Sequence, residues 1–124
     1  MFRFNIDFDS PMVLYQQVIH LIKLEILCGR LKNGDQLPPI RELAKILKLN
    51  PNTVAKAYYN LEDEGFIVSR KGSGNWVNTK KLKLDSLRAG MIEDEFKTFL
   101  EKAFSLGADE KDIKNLMMRY LSHD

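Results

Sequence analysis

Two short helices about four residues apart, a strand pair around a glycine-bearing basic tip, and heptad-spaced apolar residues beyond residue 80 predict a mainly α fold with a small β wing. The architecture is a winged helix-turn-helix followed by a C-terminal helical dimerisation tail. The composition changes to long helical segments at about Lys80. Residues 1–79 are therefore expected to form a winged-helix domain with an N-terminal arm, and residues 80–124 the tail.

The length of 124 residues is that of about one domain. Hydrophobic residues make up 44% and charged residues 29%, which excludes wholesale disorder. A barrel of alternating strands and helices would need about twice the length. Cys28 is the only cysteine, so the chain has no internal disulfide and no cysteine-based zinc site. No segment reads as a signal peptide, and no apolar run approaches the roughly 18 residues of a membrane span. A cytoplasmic location without membrane association is expected.

The opening residues 2–8 alternate apolar and polar, as a half-buried strand or extended arm does. Ser10 and Pro11 are expected to start the first helix, Ser10 as cap and Pro11 at the first helical position. Tyr15, Val18, Ile19, Ile22 and Ile26 then make one apolar stripe, and Gly29 ends the helix. His20 and Cys28 fall on or beside this packing helix and read as structural. Asn33-Gly34-Asp35 is a turn, and Leu37-Pro38-Pro39 is rigid extended chain.

A second helix is expected from about Ile40 to Leu47, with Leu43, Ala44 and Leu47 inward. Asn50-Pro51-Asn52-Thr53 is the strongest local signal. Asn50 caps, Pro51 suits the first position, and Val54, Tyr58 and Leu61 face the core of a third helix that Gly65 closes. Residues 66–69 and 75–78 read as strands of a hairpin. In the tail, Ile92, Phe96, Phe99, Ala103 and Leu106 form a heptad-like seam, and Gly107 ends that helix. Asp109 caps the last helix, with Asp112 adding charge near its start. Ile113, Leu116, Met117, Tyr120 and Leu121 make its apolar face. Both apolar sets are expected to meet a second copy of the chain.

Net charge is only +2, but its distribution is uneven. Residues 11–79 hold 9 basic and 6 acidic side chains, and Lys80, Lys81 and Lys83 follow. From Met91 onward 5 basic residues face 8 acidic ones. A basic front and an acidic back point to an anion at the front. On the third helix Asn52, Thr53 and Lys56 stand together, opposite the core stripe. Asparagine pairs with adenine, lysine donates to guanine or phosphate, and threonine touches a thymine methyl. Arg41 follows a stiff Pro-Pro step, where a planar fork suits guanine. Arg70, Lys71 and Gly72 form the wing tip, fit for a minor groove or a phosphate backbone. No catalytic, metal or cofactor constellation is present. Glu62-Asp63-Glu64 lacks a histidine partner, and Gly72-Ser73-Gly74 is too short for a phosphate loop.

The segments Leu37-Pro38-Pro39-Ile40-Arg41-Glu42-Leu43-Ala44, Asn50-Pro51-Asn52-Thr53-Val54-Ala55-Lys56-Ala57-Tyr58, Leu61-Glu62-Asp63-Glu64-Gly65 and Gly72-Ser73-Gly74 resemble the GntR family of bacterial transcription regulators. The remainder is similar to its small YtrA-type subfamily, in which about two helices replace a ligand-binding domain. The resemblance implies a winged-helix homodimer on a palindromic operator of double-stranded DNA, usually as a repressor. It implies that Arg41, Asn52, Thr53, Lys56 and the wing at Lys71-Gly72 hold DNA-contact positions. The family commonly has Ser where this chain has Pro39, which removes a hydroxyl and an N–H. A winged-helix adaptor that binds protein and no DNA is the alternative, and salt-dependent binding to an inverted repeat separates the two. The sequence names no small-molecule effector.

Overall fold

A computed structural model describes residues 6–9 and 12–122. It separates into two compact units, Met1–Leu84 and Asp85–Asp124. The first is built on three helices and a hairpin: α1 (Leu14–Leu27), α2 (Ile40–Leu47), α3 (Pro51–Asp63), β1 (Ile67–Arg70) and β2 (Gly74–Val77). Two further helices, α4 (Leu84–Ser105) and α5 (Glu110–Leu121), complete the described elements.

The first unit has one core. Val18, Ile22 and Ile26 of α1 meet Leu43, Ala44 and Leu47 of α2, Val54, Ala57, Tyr58 and Leu61 of α3, and Ile67 and Val77 of the hairpin. Each large side chain so buried contributes about 1.5–3 kcal/mol. Leu82 and Leu84 pack against the same core, so the segment after Thr79 stays with this unit. The turn between α2 and α3 passes through Lys48 in the left-handed region at φ 59°. Gly29 and Gly65 take φ 86° and 87° just beyond α1 and α3, which frees the chain to reverse.

The N-terminus departs from expectation. Residues 2–5, Ser10 and Pro11 lie outside the described residues, but α1 starts only at Leu14, with Val13 in the cap position and no side-chain cap. Residues 6–9 form a turn and no strand. The cause is Gln17, a buried polar residue of α1. Its Oε1 accepts from the Asp7 N–H, and its Nε2 donates to the carbonyls of Asp7 and Met12, each at 2.9 Å. The backbone groups a strand ladder would need at Asp7 are already used.

β1 and β2 pair antiparallel, from Ile67 opposite Val77 to Arg70 opposite Gly74. Each strand is displaced by one residue from the expected span. Phe66 donates its N–H to the Leu61 carbonyl at 2.9 Å, so it closes α3 before the ladder begins. Gly74, at φ 99°, joins β2 directly from the turn.

In the second unit α4 stops at Ser105, and Gly107 at φ 95° turns the chain. Leu106 therefore lies beyond the helix, and the expected seam continues on α4 only through Ala103. Asp109 and Asp112 form a reciprocal capping box on α5: Asp109 Oδ1 accepts from the Asp112 N–H at 2.9 Å, and Asp112 Oδ2 accepts from the Asp109 N–H at 3.0 Å. Of the expected apolar positions only Ala103 and Ile113 are buried. Ile92, Phe96, Phe99, Leu106, Leu116, Met117, Tyr120 and Leu121 are exposed, as are Phe104 and Met118. No described helix is long and apolar enough to cross a membrane.

Candidate nucleic-acid interface

The start of α3 is built by its cap. Asn50 Oδ1 accepts from the Asn52 N–H at 2.8 Å, and Pro51 occupies the first helical position without a donor to satisfy. Val54, Ala57, Tyr58 and Leu61 are buried, which turns the opposite face outward. Asn52 and Lys56 on that face are exposed and Thr53 is half-buried. The three line one groove of about 600 Å³ with Phe8, Met12, Val13, Leu14 and Tyr15. Across it, the Lys56 ammonium lies 4.1 Å from the centroid of the Tyr15 ring.

Arg41 stands exposed in the first turn of α2 and does not line this groove. The helix has Pro39 as its N-cap residue and no side-chain cap, as loss of a hydroxyl there requires. The Pro-Pro step is fastened from the other side: the Tyr58 hydroxyl donates to the Pro38 carbonyl at 2.7 Å. Burial, aided by the Glu42 carboxylate, pushes the Tyr58 phenol well above its ordinary value.

The wing tip is the turn 71–73, with Lys71 and Gly72 exposed. Arg70 ends β1, and its guanidinium lies 5.6 Å from the centroid of the Trp76 ring on the partner strand. The wing root is tied by Gln36, which bridges to Trp76 and whose Nε2 donates to the Ser73 carbonyl at 2.9 Å. A Cβ on Gly74 would sit 3.0 Å from that same Nε2. Glu62 accepts from the Ser69 N–H at 2.7 Å and Glu64 pairs with Lys23 at 2.5 Å, so two of the three clustered carboxylates have structural partners.

Sequence reasoning found the polar face of α3 but missed what surrounds it. Tyr15 was legible only as a core position, and Gln17 and Gln36 carry no periodic signal at all. Glu25 is likewise a buried polar residue of α1, its carboxylate held by the Arg30 guanidinium at 2.8 and 3.0 Å. That hydrogen bond raises the Arg30 pKa above its ordinary value. Cys28 is exposed at the end of α1, and among the described residues no group of His, Cys, Asp and Glu could hold a metal ion.

The profile of bacterial regulatory proteins of the gntR family matches residues 14–77. The HTH-type transcriptional repressor YtrA of Bacillus subtilis (strain 168) is 39% identical over 106 residues, which are 85% of this chain and 82% of that protein. Among solved structures, a GntR family transcriptional regulator from Listeria monocytogenes has a TM-score of 0.75 at 29% identity, over 90% of this chain and 98% of that one. YtrA from Sulfolobus acidocaldarius, a GntR-family transcription factor, has a TM-score of 0.60 at 41% identity, over 73% and 94%.

Proposed function

Because this chain belongs to the GntR family of bacterial regulatory proteins, we propose that it represses transcription by binding a palindromic operator as a homodimer. Its winged helix is the family's DNA-binding fold, and the relatives are named as regulators of transcription, not as enzymes. The observation that carries the finer reading is the outward face of α3, where Asn52, Thr53 and Lys56 stand at the exposed start of a helix packed firmly from behind. That arrangement suits the major groove, where side chains near the helix start reach base edges or the phosphates that flank them. Arg41 would read a guanine, and Lys71 and Gly72 would follow the backbone beside Arg70.

Dimerisation through the tail is supported by the apolar surface that α4 and α5 leave uncovered, with Ile92 at 63% and Leu121 at 63% exposure. A two-fold interface buries the same patch on both copies and sets two reading helices one DNA turn apart. Repression is supported by the relative that carries that name. The test is selection of duplexes from a random library, then titration across salt and sedimentation of the complex. A dimer on an inverted repeat, with affinity falling steeply as salt rises, is expected. Binding without salt dependence or sequence preference would favour the protein-adaptor reading.

A further inference from the structure

We propose that Tyr15 is a positioning residue for DNA contact, its ring seating the Lys56 ammonium so that Lys56 meets a backbone phosphate instead of a base. The inference rests on the DNA-binding reading above and assigns a role within it.

Lys56 is exposed on the outward face of α3, and among the described residues no carboxylate pairs with it. Its charge is instead held against an aromatic face, at 4.1 Å from the ring centroid. The ring belongs to another element. Tyr15 stands in the first turn of α1 and is half-buried. Val18 and Ile22 of α1 share one core with Val54, Tyr58 and Leu61 of α3, which fixes the ring relative to the reading helix.

A lysine side chain otherwise spreads over many rotamers, and a ligand sees only the fraction in a productive one. The ring narrows that spread before DNA arrives. It also decides where the charge sits. An ammonium held across the groove against α1 stands at the flank of the reading helix. What flanks a helix lying in the major groove is the phosphate rail, while base edges lie on the groove floor ahead of it. An ammonium has three N–H donors, so those turned away from the ring remain for a phosphate oxygen. The division of labour within α3 follows: Asn52 and Thr53 face bases, and Lys56 sets the register on the backbone.

The experiment uses the full chain and a mixed-sequence duplex, on which base-specific contacts are absent and phosphate contacts persist. Lys56→Ala should flatten the slope of log affinity against log salt by about one per chain. Tyr15→Leu keeps an apolar side chain but removes the ring, and should weaken binding roughly two- to fivefold. Tyr15→Phe should bind as the parent does. In a Lys56→Ala background, Tyr15→Leu should change nothing further. Loss of equal size with and without Lys56 would overturn the seat, and so would Tyr15→Phe behaving like Tyr15→Leu. A reading that needs no variant is the NMR shift of the Lys56 ε-protons in the parent: ring current should move them upfield, and the position of an ordinary solvated lysine would refute the contact. If the parent itself binds the duplex without salt dependence, the DNA reading falls. If the parent binds and Tyr15→Leu matches it, only the seat falls.

Discussion

Arg41 projects from the first turn of a helix that lacks a side-chain cap, directly after a proline pair pinned by Tyr58. A guanidinium on so stiff a mount suits one bidentate contact. Arg41→Ala should cost about 1–3 kcal/mol per half-site on a selected operator and far less on random DNA. Lys71→Ala should weaken both more evenly, and competition titrations measure the difference. Tyr58 offers a pH test. Its folded phenol pKa is raised above the unfolded value near 10. The stability it contributes is therefore complete below about pH 10 and is lost as pH rises beyond, by up to about 1.4 kcal/mol per pH unit. Tyr58→Phe should cost about 1 kcal/mol near neutrality through the lost bond to Pro38, and should remove that share of the alkaline decline. Urea unfolding at about pH 7 and about pH 11 compares the two.

The wing shows how a turn can depend on a neighbour far away in sequence. Gly72 and Gly74 both have positive φ, at 80° and 99°, but only Gly74 has Gln36 against the place a Cβ would take. Either alanine substitution carries a backbone cost of about 1–2 kcal/mol. Gly74→Ala should cost more, because it also crowds Gln36 where that side chain holds the Ser73 carbonyl, and chemical denaturation of the two variants tests the order. The same contrast explains what was legible in advance. Pro38-Pro39 and Asn50-Pro51 punctuate α2 and α3 so strongly that their spans and core residues follow from local chemistry. Asp109 and Asp112 mark α5 in the same way. The start of α1 did not follow, because Gln17 holds the Met12 carbonyl and the arm through bonds between residues five and ten apart. Periodicity does not record such bonds. Tyr15 escaped for a related reason: a stripe position announces burial, and only the fold brings Lys56 over its ring.

For the molecule as a whole, the division between Leu84 and Asp85 sets where it should be cut. A chain ending at Leu84 should sediment as a folded monomer, bind a half-site weakly and lose the preference for correctly spaced repeats. One ending at Thr79 gives up the packing of Leu82 and Leu84 on the core, and should be less stable by about 2 kcal/mol. A Leu84 fragment that still dimerises would move the interface into the winged helix. Intact assembly on DNA can be followed without any added label. Trp76 is the only tryptophan of the chain, its Nε1 is shielded from water with no partner among the described residues, and Arg70 covers its ring. All indole fluorescence therefore comes from the wing. An arginine drawn off the ring by a phosphate would change that emission, so the molecule carries its own optical gauge of whether the wing has engaged.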